Sequence, residues 1–412
     1  MAHRPQASSA KHHHKHWLLP IVAILLITGI ATAAFLYLKS TTTKQSDSTN
    51  QTNQSTGNKN DDSRSTRSDE QPAPENPTLT RAKEILAGMT IDEKVGQMFI
   101  VRVPIKNAVE DVSTYHIGGY IMFGRDFTGK TKDHIVQTIN SWQANAKIPL
   151  LIGVDEEGGI VNRVSTNRNL RAVPFWSPQA LYAEGGFDLI RSDTKEKAEL
   201  LHSLGINLNF APVSDVSQNP SDFIYSRSFG RDGVATAEYV RNVVEVMQEQ
   251  KIGSVLKHFP GYGDNADTHT GVAYDNRPYD TFTSSDFLPF QAGIDAGASM
   301  VLVSHNVVNA IDSQSPASLS SRAHEILRND LGFNGVIITD DLVMDGVRNF
   351  AGDAEMAVRA VEAGNDMLCC TNFWEQTPAV INAVDSGQIS EERINESVLR
   401  ILQLKISLGI IS

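Results

Sequence analysis

The densest set of chemically capable residues is the run Lys257-His-Phe-Pro-Gly-Tyr-Gly-Asp-Asn-Ala-Asp-Thr-His269. Its centre, Pro260-Gly-Tyr-Gly263, is too rich in breakers for a helix or a strand and reads as a loop. The loop presents Asp267 and His269, separated by a single residue. In an extended or turning backbone that spacing lets the carboxylate bond one imidazole nitrogen. The tautomer is then fixed and the other nitrogen is left free for proton transfer. For an isolated Asp-x-His, a solvated surface loop or a metal-binding pair is the plainer alternative. A second set is Gly335-Val-Ile-Ile-Thr-Asp-Asp-Leu-Val-Met-Asp345. Here a strongly β-forming run delivers Asp340 and Asp341 at its end, where a carboxylate serves as nucleophile, metal ligand or helix cap. Neighbouring side chains of an extended segment point apart, so one is expected in a site and the other in a structural role.

Short apolar runs that alternate with helical periods must position these groups. Strands are expected at 98–102, 119–123, 149–154, 207–210, 254–256, 299–303, 335–339 and 366–370. Amphipathic helices are expected at 130–146, 195–204, 233–250, 354–363, 377–384 and 391–408. Alternation of this kind implies a parallel sheet with right-handed crossovers. An α/β fold of the (β/α)8 TIM-barrel type is the first reading, and a doubly wound open sheet is the alternative. The barrel is favoured by the polar residues that follow nearly every strand: Arg102, Arg125, Asp155 with Glu157, Asp215, Lys257 with His258, His305, Asp340 with Asp341, and Asn372. Catalytic groups of such barrels gather at the C-terminal ends of several strands.

Ahead of the barrel, residues 17–38 contain no charged side chain. As a helix they would span roughly 33 Å, enough to cross a hydrocarbon core. Arg4, Lys11 and Lys15 precede the segment and favour an internal N-terminus, so residues 1–16 read as a cytoplasmic flank. The segment is then a membrane anchor or, given the small residues Ala31-Thr-Ala33, a cleaved signal. Either way the remaining chain is expected outside the membrane. Residues 39–78 lack Val, Ile, Leu, Met and aromatic side chains and read as a disordered polar linker. The barrel is assigned to 79–412. His12, His13 and His14 read as part of a solvated flank rather than a metal site. A formal net charge of −12 argues against a nucleic-acid partner. No protein partner is inferred. The two cysteines, Cys369 and Cys370, are adjacent and read as buried strand residues, not a disulfide.

The two sets of residues resemble glycoside hydrolase family 3, in its β-N-acetylhexosaminidase branch. Further matching runs are Met89-Thr-Ile-Asp-Glu-Lys-Val-Gly-Gln, Val154-Asp-Glu-Glu-Gly-Gly, Gly205-Ile-Asn-Leu-Asn-Phe-Ala-Pro-Val and Arg227-Ser-Phe-Gly. The resemblance covers about residues 80–410. It implies that Asp340 is the nucleophile and His269 the general acid/base, assisted by Asp267. It also implies that Asp155, Arg163, Arg227, Lys257 and His258 hold the sugar, with His305 and Met344 lining the pocket. Two positions depart from the family pattern. Tyr262 stands where a second histidine is usual, and the loop from Gly263 to Asp267 is one residue short. Both are expected to alter the wall beside the leaving group.

The reaction so implied is a two-step retaining release of terminal β-linked N-acetylglucosamine from glycans or cell-wall fragments, without metal or organic cofactor. An unperturbed imidazole titrates near about pH 6.5, which suits both proton transfers. Many β-glucosidases of the family take their acid/base from a second, sandwich domain, which is not expected after the helix at 391–408. A phosphorylase of the same fold is the nearest alternative, because a histidine acid/base avoids setting a second anion beside incoming phosphate. A metal-dependent barrel hydrolase and a non-catalytic tethered glycan-binding protein are more distant ones.

Overall fold

The structure, a computed structural model, describes residues 76–412, so the calls on 1–16, on 17–38 and on all but the end of 39–78 lie outside the described residues. Within them eight parallel strands follow one another around a barrel: β1 Phe99–Arg102, β2 Gly119–Met122, β3 Leu151–Val154, β4 Leu208–Asn209, β5 Gly253–Phe259, β6 Met300–Val303, β7 Val336–Thr339 and β8 Leu368–Cys370. β8 pairs with β1 on one side, Phe99 opposite Leu368. On its other side it meets β7 through the parallel bridge Ile338–Met367. That second contact closes the barrel and excludes the open sheet. No helix among the described residues is long and apolar enough to cross a membrane.

All eight expected strands form, with shifts that have local causes. β4 shrinks to two residues because the chain turns into Ala211-Pro212, where proline offers no ladder donor. β5 runs on to Phe259, beyond the apolar core of the motif, and carries Lys257 and His258 within the strand. Among the helices, Gly233–Glu249, Asp353–Ala363 and Glu391–Ser407 stand close to their expected bounds. The helix expected at 195–204 is the C-terminal half of Pro178–His202, a run broken by non-helical Gly185 and left-handed Gly186. The Gly-Gly pair hides the earlier half from a periodicity argument.

The N-terminal boundary also moves. Asn76 accepts from the Thr78 amide and caps a helix over Pro77–Ala87, with proline in the first turn, so the last residues read as linker are helical. A capping box of Thr90 and Glu93 then opens Ile91–Gln97, which leads into β1.

Beneath this entry lies Lys405, fully buried, its ammonium bonded to Gln97 Oε1 at 2.6 Å and, among the described residues, to no carboxylate. Burial pulls its pKa down from 10.5 to about 7. Between those values the unfolded chain binds the extra proton, so stability rises as pH rises and the penalty is fully present below about pH 7. Lys405→Met is therefore expected to stabilise the protein by about 2 kcal/mol at neutral pH, net of the orphaned Gln97 amide, with the gain shrinking towards pH 10. Urea melts at several pH values check this. Parallel pH dependences for parent and variant would rule out a titrating Lys405.

Candidate active site

The C-terminal ends of the strands open into a cavity of about 570 Å³. Asp155, Arg163, Arg227, Lys257, His258, Asp267, His269, Asp340 and Met344 all line it. They come from the loops or ends of four different strands, as expected for a barrel whose strand tips converge.

Alternation explains the acidic run after β3. Asp155 and Glu157 face the cavity, whereas Glu156 is fully buried on the other side. The Glu156 carboxylate accepts the amides of Arg163, Val164 and Ser165 at 2.8, 2.7 and 3.1 Å, folding back the loop that carries Arg163. Glu157 accepts Lys257 Nζ at 2.6 Å and two guanidinium nitrogens of Arg227 at 2.7 and 3.0 Å. Burial alone would raise its pKa, but Lys257 and Arg227 outweigh it and hold the carboxyl well below the usual range. Burial likewise works against the charge on Lys257, and Asp155 and Glu157 more than restore it. Asp155 takes the same lysine at 2.7 Å through Oδ1.

His258 follows Lys257 directly, yet both line the cavity. β5 loses register with β6 between Leu256 and Phe259, and such an irregularity re-aims side chains that a regular strand would send to opposite faces. His258 Nδ1 lies 2.7 Å from Asp215 Oδ2, and its Nε2 lies 3.2 Å from Arg227. Arginine only donates and the carboxylate only accepts, so the proton sits on Nδ1. Asp215, Arg227 and Glu157 thus hold His258 in one tautomer.

On β7 the paired carboxylates divide as alternation predicts, although both reach the cavity wall. Asp341 is tied down by the Thr371 hydroxyl at 2.9 Å and the Val343 amide at 3.2 Å. Burial pushes its pKa up. Asp340 has one oxygen on the Asp341 amide at 2.9 Å, and its other oxygen has no partner among the described residues. Burial would raise the Asp340 pKa too, but the imidazoles of His305, His258 and His269, with that amide, hold it below its ordinary value. An anionic oxygen therefore faces the cavity.

His305 is placed differently from the expectation. It is fully buried behind the site and does not line the cavity. Its Nε2 donates to the Asp341 carbonyl at 3.0 Å and its Nδ1 accepts from Ser318 at 2.8 Å. Burial lowers its pKa. It braces the backbone that carries Asp340. Arg125 and Asn372 also stay out of the cavity, bonded to the Val103 carbonyl and to Asp353. Tyr262 does not form cavity wall either: it is buried, with its hydroxyl turned to Thr268.

Asp267 and His269 stand at the cavity rim, with His269 Nδ1 2.7 Å from Asp267 Oδ1. The expected pairing of carboxylate and imidazole is present, and His269 Nε2 has no partner among the described residues. The loop root is clamped by Arg277, which donates to Gly261 O at 3.1 Å, to Asp275 at 2.7 Å and to Asp286 at 3.0 Å.

Arg102, expected among the polar residues at strand ends but given no role, does line the wall, over the Phe123 ring at 4.4 Å with a buried Nε that has no partner among the described residues. Sequence reasoning missed Phe223, which forms a half-exposed edge. Phe223 lies in an irregular stretch with no periodic cue. Cys369 edges the floor, where burial pushes its thiol pKa well up and keeps it unreactive. No group of side chains among the described residues is arranged to hold a metal ion.

Comparison with known proteins places this chain among glycosidases. The family profile described as "Glycosyl hydrolase family 3 N terminal domain" matches residues 90–404. A β-hexosaminidase of Nitrosomonas eutropha is 32% identical over 304 residues, 70% of this chain and 85% of that protein. One from Xanthomonas campestris is 35% identical over 257 residues, 61% of this chain and 76% of the relative. Among solved structures, a family 3 β-N-acetylglucosaminidase from a Paenibacillus species superposes with a TM-score of 0.73 at 32% identity. That match covers 78% of this chain and 63% of the Paenibacillus chain.

Proposed function

The chain belongs to glycosyl hydrolase family 3, and from that membership we propose that it is a retaining β-N-acetylhexosaminidase releasing terminal β-linked N-acetylglucosamine. The observation that carries the proposal is the sharing of one cavity by an anionic Asp340 and the Asp267–His269 pair. The relatives named β-hexosaminidase supply the sugar part of the reading.

In the first step an Asp340 oxygen attacks the anomeric carbon as the glycosidic C–O bond breaks. His269 Nε2 gives its proton to the departing oxygen, and Asp267 stabilises the imidazolium and keeps the other nitrogen engaged. In the second step water attacks the same carbon, its proton passes to the now neutral His269, and Asp340 leaves as carboxylate. Asp155 is suited to accept from sugar hydroxyls. Lys257 and Arg227, held by Glu157, are suited to donate to hydroxyl or acetamido oxygens.

As further parts of the proposal, residues 17–38 hold the protein at a membrane, and the barrel meets GlcNAc-containing glycans or cell-wall fragments on the extracytoplasmic side.

The test is trapping with a fluorinated N-acetylglucosaminyl inactivator followed by peptide mapping. Label on Asp340 is the expected result, and label on Asp341 or elsewhere would overturn the assignment. Turnover of an aryl N-acetyl-β-glucosaminide is measured alongside, with and without phosphate. A large acceleration with sugar 1-phosphate as product would replace hydrolysis by phosphorolysis.

A further inference from the structure

Thr268, between Asp267 and His269, is fully buried, whereas the His269 side chain beside it is 59% exposed. The hydroxyl of Thr268 is hydrogen-bonded to that of Tyr262. The tyrosine end of this contact is fixed. Its amide donates to Asp215 Oδ1 at 2.8 Å, the same carboxylate that orients His258, and its ring stands edge-on to His258 at 5.1 Å. The threonine end is fixed from the opposite side. Its carbonyl accepts the Gly346 amide at 2.9 Å, in the segment that follows Asp340 and Asp341. A Cβ at position 346 would lie 2.9 Å from that carbonyl oxygen and 3.0 Å from Thr268 Cβ, so the two segments touch backbone to backbone.

The Asp267–His269 bond is local and says nothing about where the pair stands relative to the sugar. Thr268 does, because it joins the loop to the end of β5 on one side and to the nucleophile's segment on the other. We propose that Tyr262 and Thr268 form a latch that sets the position of His269, making both positioning residues for leaving-group protonation. The proposal rests on the reading of His269 as acid/base. It also gives Tyr262, the departure from the family pattern, a task that its phenol length and hydroxyl suit. A proton donor displaced by an ångström loses much of its effect, while the nucleophile stays in place. Damage to the latch should therefore fall on substrates whose leaving groups need a proton.

The experiment measures kcat/KM of the full chain on a dinitrophenyl, a nitrophenyl and a phenyl N-acetyl-β-glucosaminide. The variants are Tyr262→Phe, Thr268→Val, Thr268→Ser, the Tyr262→Phe/Thr268→Val double and His269→Ala, each with a thermal melt to establish folding. Tyr262→Phe keeps the ring contacts and removes only the latch oxygen. Expected is a loss of about tenfold or more on the phenyl glycoside and within about twofold on the dinitrophenyl glycoside, for either latch single. The double should be no worse than the poorer single, and Thr268→Ser should stay near the parent. An equal loss across the series, or none, beside a steep His269→Ala overturns the latch. A flat series for His269→Ala overturns the acid/base reading itself, and the latch's role with it.

Discussion

Asp340→Asn is expected to lower turnover on the order of 10⁴-fold while leaving the fold and the sugar affinity close to those of the parent. The amide keeps the shape of the carboxylate, and its oxygen can still accept the Asp341 amide that Asp340 accepts at 2.9 Å. What disappears is the anion that the site works to maintain. Burial would favour a neutral Asp340, and the surrounding imidazoles hold its pKa down instead. Without a nucleophilic oxygen no glycosyl ester forms, and only general acid assistance and positioning remain. Steady-state kinetics on an aryl N-acetyl-β-glucosaminide, with calorimetric titration of a non-hydrolysable thioglycoside, separate the two effects. Retention of more than about a hundredth of parental turnover would remove Asp340 from the nucleophile role. A protein that only binds glycans would show no turnover in parent or variant.

The second large effect is on stability. Glu157 is the anion on which two buried cations converge, Lys257 at 2.6 Å and Arg227 at 2.7 Å. Glu157→Gln removes that charge and leaves both cations facing an amide, with Asp155 the one carboxylate among the described residues still paired to Lys257. Breaking a buried ion network by neutralising one member costs about 3–5 kcal/mol, which for a domain of this size lowers Tm by about 4–7 °C. The sign with pH follows from the depressed pKa of Glu157 in the folded protein. Its stabilisation is present above the unfolded value of 4.5 and is lost as pH falls below it. The gap between parent and variant should therefore be widest near neutral pH and narrow in acid. Activity should fall as well, because the Lys257 and Arg227 donors are aimed by Glu157. A Tm change under about 2 °C at pH 7 would mean that water or Asp155 already satisfies the two cations.

The eight strands were legible because each is a short β-forming run bounded by breakers, and the polar residue after each marked which end holds the site. Asp155, Lys257 and Asp340 sit where strand positions put them, His258 joins Lys257 in the cavity only through the irregularity of β5, and Asp267 meets His269 because their contact is local. His305 shows the limit of that logic. It too follows a strand, but the chain turns it behind the Asp341 carbonyl, and nothing in local sequence distinguishes facing a cavity from bracing its floor. Glu156 and Glu157 make the same point, since which of two neighbouring carboxylates folds its own loop and which anchors two cations depends on strand twist and tilt.

From residues alone came the period of the fold, the two reactive runs and the local Asp267–His269 pairing, because each is decided by neighbours within a few positions. Only the tertiary structure decided barrel over open sheet, since that rests on one bridge between Ile338 and Met367. It alone set the ion network through Glu157 and the tie from Thr268 to both Tyr262 and Gly346. Those contacts join side chains and backbone far apart in the chain, and such partners are chosen by closure and packing rather than by spacing.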